Sequence, residues 1–486
     1  MYKYFSIYFL VIPVLFLLNS CQRGREQKGT ELPNIIYINV DDLGWSDTEV
    51  FGSTFYETPN INRLALEGMT FTNGYAGASN CAPSRACLMS GQNTPRHGMY
   101  TVANSDRGNT KLRRIVPTPN TTVLHDSVIT IAEMLKTAGY RTGTFGKWHL
   151  GEDPTTQGFD INIGGGERGN PGKSGYFSPY NLKNLQAESE GENLTDRLTD
   201  EAIKFMEETN GEPFFLYLPY YAVHTPLQTF RRLEDKYAQK EGNEGQFNAR
   251  YAGMVETVDT NIGKLLSFLK RTGLDDHTLV IFTSDNGGIR DISYQDPLRA
   301  GKGSYYEGGI RVPYIFKWKG VITPDSKCET AIVNLDIFPT LMELTRAKRP
   351  EQNLDGVSLM PLLKGRAIET RALYFHFPIY LEAYNPVTDR GRDPLFRTRP
   401  GSVIIDGKWK LHHYFEDDAM ELYNIEEDVS EARDLVSEFP GKAAELYEKL
   451  DLWRAHINAP VPKDLNPEYD QNLESEKLSE YLISKK

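Results

Sequence analysis

The chain has 486 residues, 39% hydrophobic and 25% charged, the balance of a globular protein with room for one large domain and a smaller one. This composition excludes a disordered chain and an array of membrane spans. A formal net charge of -12 excludes the broad basic footprint of a nucleic-acid binder, so an anionic substrate must be met by a local group of cations.

Lys3 and the apolar stretch 4–18, broken once by Pro13, read as an export signal over 1–20 that is too short to span a membrane. Its end, Leu18-Asn19-Ser20-Cys21, resembles the lipobox of bacterial lipoproteins and predicts a lipid anchor on Cys21, in the periplasm or at the outer membrane. Asn19 departs from the small or aliphatic residue usual there, which leaves ordinary signal cleavage open. The polar segment 21–32 reads as a tether. Besides Cys21 there are cysteines at 81, 87 and 328, and spacing leaves open whether Cys87 and Cys328 pair.

From Asn34 the apolar run 34–40 predicts a strand buried on both faces. Thr130-Ile131-Ala132-Glu133 is a capping box opening a helix with Ile131, Met134, Leu135 and Ala138 on one face, stopped by Gly139. Strands are predicted at 141–145, 214–218 and 279–282. Between the last two, Tyr251, Val255, Val258, Ile262, Leu265, Leu266 and Leu269 mark one face of a long helix. This alternation predicts an α/β domain over 33–365, a large and mainly parallel sheet sandwiched by helices. Beyond it, short strands at 372–377, 402–406 and 409–414, a hairpin signal at Asp406-Gly407, a helix at 442–456 and an acidic polar tail predict a smaller α+β domain over 366–486 with an antiparallel sheet.

In open α/β sheets, ligands sit beyond the carboxyl ends of the strands. Asp41-Asp42 follows the first strand and Asp285-Asn286 the strand at 279–282. Four oxygen donors without clustered His or Cys favour calcium or magnesium over zinc, although either pair alone is commonly a solvated turn.

A third cluster, Cys81-Ala82-Pro83-Ser84-Arg85, is followed by Leu88-Met89-Ser90-Gly91, and a further signature runs from Gly139 through Lys147-Trp148-His149. With Val40-Asp41-Asp42-Leu43-Gly44, Val223-His224-Thr225-Pro226, Thr283-Ser284-Asp285-Asn286-Gly287 and Gly301-Lys302-Gly303 in the same order, the sequence resembles the type I sulfatases of the alkaline phosphatase-like superfamily, notably bacterial glycan sulfatases. That resemblance implies that a separate maturation enzyme converts Cys81 to formylglycine. The hydrated aldehyde would attack sulfur, and its second hydroxyl would let sulfate leave by collapse to the aldehyde. It implies one calcium ion on Asp41, Asp42, Asp285, Asn286 and residue 81. Arg85, one turn further along the helix, would hold the diol and the metal ligands. Lys147 and Lys302 would neutralise sulfate oxygens, His149 would act as base, and His224 would protonate the leaving oxygen or bind the sulfate. The implied substrate is a sulfated carbohydrate from mucin, glycosaminoglycan or algal polysaccharide, with a galactose or N-acetylgalactosamine sulfate as first expectation and attack from chain ends. A phosphonate or phosphate ester hydrolase of the same superfamily is the nearest alternative. A lipid-tethered, non-catalytic binder of sulfated glycans is another.

For specificity, the polar segment 100–120 with Arg107, Lys111, Arg113 and Arg114 could line a subsite or form a solvated basic loop. His376, Arg397 and Arg399 are candidates to reach the pocket from the C-terminal domain.

Overall fold

The computed structural model describes residues 32–243 and 245–484, together with residues 1, 2 and 4, with side chains given as far as residue 481. The export signal at 5–20, Cys21 and nearly all of the tether lie outside the described residues. No described helix is long and apolar enough to cross a membrane.

The run Asn34–Val40 forms β1, buried along its whole length, in the middle of an eight-stranded sheet. The other strands are β2 (Met69–Phe71), β3 (Arg141–Phe145), β4 (Ile161–Ile163), β5 (Phe214–Pro219), β6 (Thr278–Ser284), β7 (Tyr314–Lys317) and β8 (Ser326–Cys328). Their spatial order is β4-β3-β5-β1-β6-β7-β2-β8. The first five of these neighbours run parallel, whereas β7 is antiparallel to both β6 and β2. Because side chains alternate across a strand, Ile36, Ile38 and Val40 point to one face. There they meet α3 (Leu194–Glu207) and α4 (Ala249–Thr272) through Leu198, Ala202, Val258 and Leu265. Tyr37 and Tyr217 point to the opposite face, the side of Arg85 in α1 (Cys81–Ser90). Helix α1 packs there with α2 (Ile131–Lys136) and α5 (Ile337–Thr345). Thr130 and Glu133 form the expected reciprocal cap of α2, and Gly139 ends the turn at φ +83°.

A second, antiparallel sheet is built from β9 (Leu373–Phe377), β10 (Gly401–Asp406), β11 (Trp409–Tyr414) and β12 (Met420–Asn424), in that order. Asp406 pairs with Trp409 across a two-residue turn in which Gly407 has φ +57°, as the Asp-Gly signal predicts. Phe375, Val403 and Ile405 face Tyr75 and Tyr305 of the larger layer. Ile404, Leu411 and Leu422 lie under α6 (Pro440–His456), against Ala443, Leu446 and Leu450.

Several elements differ from the sequence expectation. Residues beyond 456 are not merely a polar tail: α7 (Gln471–Ser484) docks through Glu474, buried between Arg114 and Arg399. An ion pair, not an apolar stripe, seats it, so hydrophobic periodicity could not reveal it. The edge β7-β2-β8, in which β7 alone runs against the other strands, and helix α3 were also not foreseen. For α3 the signal existed, since Leu194, Leu198, Ala202, Phe205 and Met206 recur at helical spacing. Cys81, Cys87 and Cys328 are all free; Cys87 is buried in α1 with its sulfur 3.5 Å from His97 Nε2.

Candidate active site

Four strand ends and one helix start converge. Asp41-Asp42 leave β1, Asp285-Asn286 leave β6, Lys147 and His149 follow β3, and His224 follows β5. Cys81 is the first residue of α1, placed by the extended Asn80 before it. The loop carrying Lys302 is tied in by Lys302 N–H to Gly288 O and by Gly303 N–H to Ser79 O.

All ten sequence-predicted core residues meet there. Lys147 Nζ donates to Asp41 Oδ2 at 2.6 Å, and Lys302 Nζ to Asp42 Oδ2 at 2.7 Å. Arg85 places Nε and Nη2 on Asp285 Oδ2 at 2.9 and 2.8 Å, while its Nη1 donates to the Lys147 carbonyl at 2.7 Å. Asn286 Nδ2 donates to Asp42 Oδ1 at 2.8 Å, and the Cys81 sulfur lies 3.8 Å from that oxygen. His224 Nδ1 donates to its neighbour's carbonyl, Thr225 O, at 2.7 Å, which turns Nε2 toward Asp42 Oδ2, 3.7 Å away. His149 sits at φ +63° with a buried Nδ1 that has no partner. Gly169 lies against that ring; a Cβ there would approach the imidazole to 2.4 Å.

Burial governs the electrostatics. It pushes Asp41 up to about 8 against the pull of Lys147, with Asp285 and Asp42 adding repulsion. For Asp42 burial is outweighed by Lys302, then His224 and Lys147, and for Asp285 by Arg85, so both stay below the usual carboxylate range. Burial, reinforced by Asp41, raises the Cys81 thiol to about 12; as encoded, the side chain is a neutral thiol at physiological pH. Burial and the nearby Lys147 hold His149 neutral, and burial lowers His224 to about 4 despite Asp42.

Carboxylate oxygens of Asp41, Asp42 and Asp285 come within 4.8 Å of one another, and Asp41 Oδ1 and Asn286 Oδ1 are buried without hydrogen-bond partners. Orphaned acceptors in an all-oxygen set fit a hard divalent cation. A second grouping, Asp41, Cys81 and His224, has the softer donors a zinc-like ion prefers, but it contains one carboxylate where the first contains three. With Asp41 ionised, as a bound cation would keep it, three carboxylates balance Arg85, Lys147 and Lys302. A dication would therefore leave the pocket positive and receptive to an anionic group.

The specificity candidates divide. His376 is buried between Ser402 Oγ and Pro460 O, and Arg399 is locked onto Glu416, Glu474 and Asp393, so neither reaches the pocket. Arg113 caps the carbonyls of Asp106 and Gly108, Arg114 pairs with Glu474, and Lys111 is exposed. These five serve folding or solvation. Arg107 and Arg397 do lie near the site. The sequence reading missed a cavity of about 860 Å³ beside His224, walled by Arg168, Asn170, Lys173 and Asn181. The density of glycine in 164–175 was the available signal for a loop that backbone and ligand can share.

Residues 33–347 match the family described as Sulfatase, and residues 301–455 the one described as N-sulphoglucosamine sulphohydrolase, C-terminal. The chain is 33% identical to a protein named Sulfatase from Formosa agariphila, over 93% of each chain. It is 33% identical to N-acetylgalactosamine-6-sulfatase of Rattus norvegicus over 75% of this chain and 72% of that one. Among solved structures, the crystal structure of Ps i-CgsB superposes with a TM-score of 0.71 at 30% identity, over 87% of this chain and 93% of its own.

Proposed function

Since the chain belongs to the sulfatase family, we propose that it hydrolyses sulfate esters of a carbohydrate, with residue 81 matured to formylglycine and one calcium ion on Asp41, Asp42, Asp285 and Asn286. The observation that carries this reading is the meeting of Cys81, Lys147, Lys302, His149 and His224 at the three-carboxylate cluster. When present, formylglycine supplies a hydrated aldehyde as nucleophile and calcium supplies Lewis-acid polarisation of a sulfate oxygen.

The chain's own residues account for the rest. Lys147 and Lys302, whose ammonium groups lie on Asp41 and Asp42, would be free to neutralise sulfate oxygens if those carboxylates held a dication. Neutral His149, its Nδ1 unpartnered, is ready to accept a proton from residue 81. Thr225 O fixes the His224 tautomer, so Nε2 faces the reacting group. The negative charge of a bound sulfate raises the proton affinity of that nitrogen, which suits it to hand a proton to a sugar oxygen.

The carbohydrate assignment is supported by the 30%-identical Ps i-CgsB, solved in complex with k-i-k-neocarrahexaose, and by the N-acetylgalactosamine-6-sulfatase likeness. The cavity beside His224, with Arg168, Asn170, Lys173 and Asn181 in its wall, offers room for sugar rings. A galactose or N-acetylgalactosamine sulfate at a chain end remains the specific proposal. Export and lipid attachment at Cys21, with action of a separate maturation enzyme on Cys81, belong to it too and rest on the residue patterns at 3–21 and 81–85.

The test compares turnover of matched sulfate and phosphate esters of one sugar. Sulfate is expected to win by at least about tenfold in kcat/KM; a phosphate preference would defeat the reading. Removing the metal with a chelator is expected to abolish activity and lower the melting temperature, because mutually repelling buried carboxylates are then left without their cation. Calcium should restore both. Restoration by zinc alone would show the donor set to be misread.

A further inference from the structure

Cations near the site are of two kinds. Arg85, Lys147 and Lys302 each face a carboxylate. Arg107 and Arg397 do not, and among the described residues neither pairs with any acid. Arg107 lies within electrostatic reach of residue 81 and of Arg397. Its Nη2 makes one long contact, 3.4 Å, to Thr101 Oγ1, the hydroxyl that also accepts from Asn80 Nδ2, next to Cys81. Its Nε is buried and has no partner.

Arg397 is buried, with its guanidinium 3.4 Å from the ring centroid of Tyr384. Only carbonyls serve it: Nε donates to Glu382 O at 2.9 Å and Nη1 to Lys302 O at 3.2 Å. Gly303 makes that approach possible, since a Cβ there would come within 2.8 Å of Nη1. Two acids lie within electrostatic reach, Glu382 of Arg107 and Asp389 of Arg397, and neither forms an ion pair with them. Glu382 contributes its carbonyl, and Asp389 spends a carboxylate oxygen on the N–H groups of Tyr384 and Asn385. Burial and the Arg397 charge together depress the proton affinity of Arg107.

Two guanidiniums within electrostatic reach of each other, partly desolvated and with no ion-pair partner, destabilise each other. The arrangement becomes favourable when an anion bridges them, and planar guanidinium groups suit the paired oxygens of sulfate or carboxylate. Arg397 bonds the backbone of Lys302, whose ammonium reaches Asp42, so the pair sits one step outward from the reacting centre.

We propose that Arg107 and Arg397 form a second anion subsite, which holds a further sulfate or carboxylate group of the carbohydrate while the sulfate to be removed sits at residue 81. This rests on the carbohydrate sulfatase reading and narrows it to substrates bearing at least two anionic groups.

The test uses three matched oligosaccharides: one with a single sulfate, one with a second sulfate and one with a carboxylate in its place. Their binding to full-length Cys81→Ala protein is measured by calorimetry, which separates recognition from turnover. The second anion is expected to tighten binding by about tenfold or more. Adding Arg107→Ala should remove most of that gain, and Arg107→Lys should keep part of it. Arg397→Gln, which retains donors for the two carbonyls, guards against loss of folding and should also reduce the gain. The two dianionic arms identify which group the subsite takes. Equal binding of all three ligands, or a gain that survives both arginine variants, would overturn the subsite. If the arginine-dependent gain is present but matured wild-type protein releases no sulfate from any of the three, the subsite stands and the sulfatase reading fails.

Discussion

Replacing Cys81 by alanine is expected to reduce sulfate-ester hydrolysis by a factor on the order of 10⁴ to 10⁶ while leaving the fold in place. The side chain is buried at the first position of α1, and its sulfur makes a hydrogen-bond contact with Asp42 Oδ1 at 3.8 Å. Truncation thus deletes the reacting atom at a packing cost of about 1 kcal/mol. Burial keeps the encoded thiol neutral, so the unmodified cysteine is a weak nucleophile in this pocket. Activity and melting temperature measured together check the substitution. Mass spectrometry of the peptide containing residue 81 checks the maturation: active preparations should carry an aldehyde there. Full activity in protein with only a free thiol, or survival of activity in the alanine variant, would require another nucleophile.

Arg85→Met should be damaging for a different reason. Arg85 is fully buried, gives one hydrogen bond to Asp285 through Nε and one to the carbonyl of Lys147, and holds Nη2 in ion-pair contact with Asp285 Oδ2. Methionine fills much of the volume but leaves Asp285 a buried carboxylate without its cation, and the loop bearing Lys147 loses its anchor. Breaking a buried pair from one side costs about 3–5 kcal/mol. The loss should be larger with chelator than with calcium, because the metal offsets part of the stranded charge. Urea denaturation in both conditions reads this directly, and hydrolysis should fall along with it. A stability change under about 1 kcal/mol in chelator would show that Asp285 is compensated elsewhere.

How legible the protein was in its sequence depended on the range of the interaction. The runs at 34–40 and 279–282 are apolar enough to be read as buried strands, and the acids shortly after them lie where such strands end. Thr130 and Glu133 cap a helix within four residues, and Gly407 turns a hairpin within two. By contrast, Arg113, Arg114, Arg397 and Arg399 look alike in sequence and have four different fates: carbonyl cap, ion pair with α7, neighbour of Lys302, and anchor among Glu416 and Glu474. Helix α7 was invisible for the same reason, because its buried residue is a glutamate.

The sequence alone thus determined the alternating fold and the gathering of Asp41, Asp42, Asp285 and Asn286 at one edge, since the ends of parallel strands share it, while the resemblance carried by residues 81–85 placed Cys81 with them. Only the tertiary structure decided which cations are spent and which are spare. Arg114 meets Glu474 across 360 positions of chain, whereas Arg107 forms no ion pair among the described residues. Partner choice at that range depends on which surfaces fold together, and no local pattern records it.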